Sequence, residues 1–183
     1  MKTLIGALAL CAFATAAAAQ DKYTTGVDGT FAPHAFPKLG GGIEGFNVDL
    51  VEELRTRLGA EIELVATQWS GLLPGLAAGT YDFISAPTTI TEERSENLLF
   101  TEGYLNTDFL FVVKAGTEEI TDLKQFAGKT IAVNKGAVYD SWARGLADEI
   151  GWTVESYGTN ADAIQAVLSG RAVANVAGNT ASA

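Results

Sequence analysis

Hydrophobic positions along this chain switch repeatedly between two periods. From Phe46 to Leu58 the apolar residues Val48, Leu50, Val51, Leu54 and Leu58 recur at helical spacing. Gly59 follows as a left-handed stop. Glu61 to Ala66 alternates polar with apolar, as a half-buried strand does. Lys22 to Asp28 reads as a further strand, Tyr81 to Ala86 as a buried one, and Asp108 to Lys114 as a strongly apolar one. Between them, Ser70 is placed to cap a helix running through Leu72, Leu73 and Leu76 to Gly79. A second series follows Lys114. Thr121 caps a short helix, Thr130 to Val133 is a strand, and Val138 to Ile150 is a helix ended by Gly151. Thr153 to Tyr157 is a strand, Asn160 caps a helix through Ile164, Val167 and Leu168 to Gly170, and Ala172 to Ala177 is the last strand. Strands alternating with helices of this length predict an α/β fold with mostly parallel sheets. The pattern divides into two lobes, residues 20–113 and 114–183, and the few elements of the second lobe suggest that it is incomplete.

Residues 1–19 stand apart. A charged start at Lys2, an apolar run from Leu4 to Ala14 and small residues at Ala17 and Ala19 read as a cleaved signal peptide. The run is shorter than the roughly 20 apolar residues that span a bilayer. Cys11 follows Leu8-Ala9-Leu10, but Leu10 is large where a lipoprotein box takes a small residue, so lipidation is not expected. Cys11 is the only cysteine, so export would leave a mature chain with no disulfide. A net charge of −10 argues against partners that need basic patches, nucleic acid and anionic membrane surfaces.

Few residues are equipped for catalysis. Gly40 to Gly45 matches a dinucleotide fingerprint, but Phe36-Pro37 precedes it instead of a central strand, so it reads as a turn. Gly128-Lys129-Thr130 ends like a phosphate loop but has Leu123 where the first glycine belongs. His34 is the only histidine and reads as a rim residue in the loop after the first strand. Histidine-based zinc sites are therefore excluded, and no metal or other cofactor is expected.

Binding groups are better supplied. Ligands of open parallel sheets sit beyond the carboxyl ends of the strands. After the strand ending at Ala86 come Thr89 and Arg94, able to hold a carboxylate by a neutral and a bidentate charged contact. Alternatively, Thr91 caps a short helix and Arg94 pairs with Glu93 or Glu96 on its surface. Asn134-Lys135-Gly136-Ala137-Val138 joins a strand to a helix, and free N–H groups of Gly136, Ala137 and Val138 would suit an anion. Taken singly it is an ordinary turn. Phe31, Phe36 and Trp69 each follow a strand and are either core or the walls of one cleft.

Taken in order, these stretches resemble the amino-acid-type extracellular solute-binding proteins (family 3) of ABC transporters. The landmarks are Gly26-Val27-Asp28 with Phe31-Ala32-Pro33, Gly45 to Leu50, Trp69 to Pro74 and Leu76 to Asp82, followed by Thr89 to Arg94, Phe100 to Tyr104 and Leu123 to Lys129. The resemblance covers essentially the whole chain after the leader. It implies a periplasmic-binding-protein-like two-lobe fold that closes on a small solute, an amino acid above all, for delivery to an inner-membrane permease. By it, Phe31 and Trp69 sandwich the ligand and Arg94 binds its α-carboxylate, helped by Thr89 and the backbone at Gly136, Ala137 and Val138. The carbonyl of Pro87 and the acid at Asp28 meet its ammonium group or side chain. It further implies a periplasmic, monomeric, non-enzymatic protein. An alternative on the same fold is an exported cyclohexadienyl dehydratase; another is a sensor module detached from a membrane partner. Three positions depart from the family: Pro87 where Gly or Ser is frequent, Ala137 where a hydroxyl residue is usual, and Gly178, with Asn179 next, where an acid is expected. Val173 also replaces a frequent aspartate, and the family's return of the chain to the first lobe is missing.

Overall fold

The computed structural model describes residues 21–181; the expected signal peptide, residues 1–19, lies outside them. In chain order the elements are β1 (Lys22–Asp28), β2 (Phe36–Pro37), β3 (Ile43–Glu44), α1 (Phe46–Leu58), β4 (Glu61–Thr67), α2 (Trp69–Ala77), β5 (Phe83–Ile84) and α3 (Glu92–Ser95). Then follow β6 (Phe109–Val113), a 3-10 turn (Leu123–Phe126), β7 (Thr130–Asn134), α4 (Val138–Gly145), α5 (Ala147–Ile150), β8 (Thr153–Tyr157), α6 (Asn160–Leu168), β9 (Ala174–Gly178) and a 3-10 turn (Asn179–Ala181).

Two main sheets, each mostly parallel as expected, and a small antiparallel β2–β3 hairpin result. The first has the order β4-β1-β5, all parallel. The second has the order β6-β9-β7-β8, with β7 parallel to both neighbours and β6 antiparallel to β9. That pairing corrects the expected boundary after residue 113, because β6 belongs to the second sheet.

Burial explains the geometry. Ile131 and Val133 of β7 face one apolar cluster with Phe126, Ala143, Trp152 and Val176. Ala132 between them faces another with Ala163, Ala166 and Val167. Alternate residues of one strand thus serve two cores, which is why β7 reads as an unbroken apolar run. In the first lobe, Val51 of α1 packs on Ala60 and Ile62. The side chain of Leu72 in α2 lies so close to Gly26 that an added Cβ would come within 2.7 Å of it. A side chain at position 26 would have to displace the Leu72 side chain and the Tyr81 ring, so glycine fits this close approach of α2 to β1.

Several element ends differ from expectation, each for a local reason. The helix expected from a cap at Ser70 begins at Trp69, leaving Ser70 in its first turn. Asp122, not Thr121, caps the turn 123–126: its carboxylate accepts the Lys124 N–H at 2.8 Å, and Gln125 Oε1 accepts the Asp122 N–H at 2.9 Å. Thr159, not Asn160, caps α6, accepting the Asp162 N–H at 3.0 Å. Of the strand expected over 81–86, Phe83 and Ile84 form β5, and the Asp82 and Ser85 N–H groups on either side donate to the Thr24 and Gly26 carbonyls of β1 at 2.8 and 3.0 Å. The helix expected over 138–150 breaks at Leu146. There the Trp152 indole N–H donates to the Ala143 carbonyl at 2.8 Å, the acceptor that a continuous helix would have offered to Ala147. Gly40, Gly41 and Gly42 all take positive φ in the turn of the β2–β3 hairpin, so the fingerprint-like glycines form a surface turn as expected.

Candidate functional site

The carboxyl ends of β1, β5 and β7 open onto one cavity of about 780 Å3 between the two sheets. Asp28, Phe31, Trp69, Pro87, Thr89 and Arg94 line it from the first lobe, and Ala137 and Val138 from the second. Gly136 does not line it, nor does Phe36, which lies in β2 away from the cavity.

Arg94 resolves into both readings at once. Thr91 caps α3 by accepting the Arg94 backbone N–H at 3.2 Å. The side chain does not pair with Glu93 or Glu96 among the described residues. It turns inward, where one Nη1–H donates to the Thr89 carbonyl at 2.9 Å and the guanidinium lies 5.6 Å from the centroid of the Trp69 ring. Burial lowers its pKa from the ordinary arginine value, opposed by Glu93 and Tyr139. The group stays cationic, since arginine is not deprotonated in proteins. Its remaining N–H groups are free to hold a carboxylate as a fork.

A negative pole is built at the end of β1. Asp28 is 2% exposed. One carboxylate oxygen accepts the Thr30 N–H at 3.0 Å and the Thr30 hydroxyl at 2.7 Å. No cation pairs with Asp28 among the described residues. A buried carboxylate without a cationic partner is costly, and a ligand cation would relieve that cost.

The turn before α4 differs from expectation. Asp140 accepts the Gly136 N–H at 3.0 Å, and the Asn134 carbonyl accepts the Ala137 N–H at 3.1 Å. Asp140 is itself fixed by Arg144 Nε at 2.7 Å and the Ser156 hydroxyl at 2.9 Å. Two of the three N–H groups expected to face an anion are therefore committed to the turn, while that of Val138 has no acceptor among the described residues. Trp69 Nε1 lies 4.0 Å from where a Cβ on Gly136 would stand, so the two lobes nearly touch here.

His34 is not a rim residue. It is 3% exposed, stacked on Phe31 with ring centroids 5.3 Å apart, and its Nε2 shares a 3.0 Å hydrogen bond with Thr180 just past β9. Burial pushes its pKa below the ordinary histidine value, with Asn47 opposing. The folded protein thus takes up the proton less readily than the unfolded chain. Stability is complete above the unfolded pKa, about 6.5, and is lost as pH falls from there towards the lowered folded value. In a series of thermal scans from pH 7.5 to 5, the wild type should lose melting temperature in that window. His34→Gln, which cannot titrate, should lose less; an equal loss in both would place the effect elsewhere.

Gly178 and Asn179 supply no acid. A Cβ on Gly178 would overlap the Tyr139 hydroxyl and the Thr107 hydroxyl, so those two groups fill that space. Asn179 does not line the cavity. Asn134, Tyr139, Asn160 and Thr180 do line it and were not expected as ligand contacts, although Asn134 opens the candidate turn and Asn160 reads as a cap. Only Asn134 had a legible signal, a polar residue ending the apolar run Thr130 to Val133. Among the described residues no three His, Cys, Asp or Glu side chains cluster as a metal site.

The family model for bacterial extracellular solute-binding proteins, family 3, matches residues 23–150. The chain is 30% identical over 175 residues to an L-arginine-binding protein of Pseudomonas aeruginosa, covering 95% of this chain and 68% of that protein. It is 32% identical over 120 residues to the L-cystine-binding protein TcyJ of Escherichia coli K12, covering 65% of this chain and 45% of that protein. Among solved structures, an ancestral arginine-binding protein bound to arginine matches with a TM-score of 0.83 at 30% identity, over 88% of this chain and 72% of that one. The ancestral amino acid-binding protein AncCDT-1, a precursor of cyclohexadienyl dehydratase, matches with a TM-score of 0.79 at 29% identity, over 86% of this chain and 70% of that one. The chain spans between 45% and 68% of the length of these two curated relatives.

Proposed function

This chain belongs to the bacterial extracellular solute-binding proteins of family 3, and from that premise we propose that it captures an amino acid outside the cytoplasmic membrane and delivers it to an ABC transporter permease. The observation that carries the reading is the inward-turned Arg94, held over Trp69 with N–H groups to spare and with buried Asp28 on the same cavity. One cationic and one anionic pole joined by aromatic walls complement a zwitterion. Phe31 and Trp69 supply the apolar contact, Thr89, Pro87 and the Val138 N–H the neutral polar ones, and export through residues 1–19 places the protein in the periplasm. Relatives named for arginine and cystine binding support the solute class. Capture does no chemistry on the solute. A ligand that touches both lobes binds the closed state better than the open one, and this difference alone drives closure.

The dehydratase alternative has less support. AncCDT-1 is itself described as an amino acid-binding protein, and His34 is not among the residues lining the cavity. Prephenate turnover would establish it.

A thermal-unfolding scan against the common amino acids and small organic acids tests the proposal. Binding to the native state alone raises the midpoint, by about 2.7 kcal/mol of added stability at a ligand concentration 100 times Kd. A selective rise with one or a few amino acids is expected. No rise with any amino acid, or a rise only with dicarboxylic acids, would overturn the proposal.

A further inference from the structure

Residues 98–108 carry the chain from the first lobe to β6 with neither helix nor strand, and the turn Asn179–Ala181 leaves β9. The two segments meet at the end of the second sheet. There Phe109 pairs with Gly178, and the Asn179 N–H donates to the Asp108 carbonyl at 3.1 Å. Those contacts hold both segments to the second lobe. The first lobe holds them through two other side chains. The Asn47 amide donates from Nδ2 to the Tyr104 hydroxyl at 3.2 Å, and His34 Nε2 shares its 3.0 Å hydrogen bond with the Thr180 hydroxyl. Tyr104 also stacks on Phe46, with ring centroids 5.8 Å apart.

His34 and Asn47 are built as one unit. The Asn47 backbone N–H donates to the His34 carbonyl at 2.8 Å, and the Ser85 hydroxyl donates to the Asn47 carbonyl at 3.3 Å. Both side chains are buried. When Nε2 of the neutral ring accepts the Thr180 proton, Nδ1 carries the ring hydrogen. His34 Nδ1 and Asn47 Oδ1 are then a donor and an acceptor, both buried and with no competing partner among the described residues. A side-chain hydrogen bond with Asn47 is also what opposes the lowering of the His34 pKa. A polar chain Thr180–His34–Asn47–Tyr104 thus runs through the first lobe from one segment to the other. Its two ends line the cavity and its middle does not. Buried polar chains of this kind rigidify what they join.

We propose that His34 and Asn47 are positioning residues that pin both segments to the first lobe, so that the lobes turn only about residues 105–108 and Asn179, between the pins and the second sheet. They act through Tyr104 and Thr180 in the cavity wall and line no part of the cavity themselves. A lobe angle wider than the pins allow requires one of these hydrogen bonds to break. Deleting a pin removes that penalty and populates the wider angles. This goes beyond amino-acid capture and holds whichever solute is bound.

The test is a distance measurement between the lobes of the ligand-free protein by pulsed electron paramagnetic resonance. Spin labels go on the exposed positions Glu53→Cys in α1 and Glu149→Cys in α5, with Cys11→Ala removing the native cysteine. His34→Phe and Asn47→Leu keep apolar bulk and lose the bonds. Each should raise the share of longer distances by about two- to tenfold, the scale of one hydrogen bond. His34→Gln, whose amide can still bond Thr180, should return the distribution towards wild type. Tyr104→Phe and Thr180→Val delete one hydroxyl each at the outer ends of the chain and should shift it in the same direction, which keeps the test open if the buried variants do not fold. Val51→Ala truncates the packing of α1 on Ala60 and Ile62 without touching either segment, so it should lower the melting temperature and leave the distribution unchanged. An unchanged distribution in the pin variants, a shift in His34→Gln as large as in His34→Phe, or an equal shift in Val51→Ala would overturn the assignment. Amino-acid capture would stand in each case, because the thermal scan tests it separately.

Discussion

Arg94→Ala is expected to weaken capture of the amino acid that shifts the melting curve by roughly 2–5 kcal/mol, the cost of truncating one partner of a buried charged contact. In affinity this is a loss of about 30- to 5,000-fold. The size follows from what the side chain does in the free protein. One N–H is spent on the Thr89 carbonyl, the ring of Trp69 lies against the guanidinium, and among the described residues no carboxylate pairs with the rest. Folding should be little affected, because the deleted group contributes one hydrogen bond and one cation–π contact, about 1–2 kcal/mol together. Arg94→Lys should fall between, keeping the charge and losing the two-pronged geometry. Calorimetry and a thermal scan of the same samples separate the two effects. Unchanged affinity in Arg94→Ala would remove Arg94 from the site, and a collapse of the melting transition would make it a folding residue.

Gly45→Ala is expected to give the largest loss of stability among single-atom additions. Gly45 has φ 131°, a region that side-chain-bearing residues avoid, at a strain of about 1–3 kcal/mol. An added Cβ would also stand 2.7 Å from the carbonyl oxygens of both Pro33 and His34. Those oxygens accept the first N–H groups of α1, from Phe46 at 3.2 Å and Asn47 at 2.8 Å, so they cannot move aside without uncapping the helix. Overpacking adds about 1–3 kcal/mol. The sum, about 4 kcal/mol at the middle of both ranges, corresponds to a fall of roughly 8–16 °C in melting temperature for a chain of this length. Gly59→Ala is the control. Gly59 is also left-handed, at φ 62°, but nothing lies within 4 Å of its added Cβ. It should cost about 1 kcal/mol, the penalty a Cβ meets in the left-handed conformation alone. Equal losses in the two variants would show that conformation, and not the approach of the carbonyls, sets the cost at Gly45.

The two glycines show how far local pattern reaches. Gly59 was legible because a helix stop is read from neighbours in the chain. Gly45 sits in a run of glycines that reads as a turn, and the reason no other residue fits lies eleven and twelve positions away, in two carbonyls. Caps follow the same rule. Asp122 and Thr159 stand one residue from the expected Thr121 and Asn160, because adjacent polar residues compete and geometry chooses. His34 is the clearest difference. A lone histidine between prolines and aromatics reads as a surface loop residue, yet Phe31 covers it and Thr180, 146 residues later, bonds it.

By itself the sequence determined the class of fold and the order of its longer strands and helices, and it pointed to Arg94 as a group equipped to grip a carboxylate. Period-2 and period-3.6 burial, stop signals and the guanidinium of Arg94 are properties of short stretches, and they survive in any arrangement that buries the apolar faces. Only the tertiary structure decided that β6 joins the second sheet and that Arg94 turns inward to Trp69. It also decided that the N–H groups of Gly136 and Ala137 are spent within their own turn. Each of these depends on which groups from distant segments compete for the same hydrogen bond or the same space, and that competition exists only once the chain has folded.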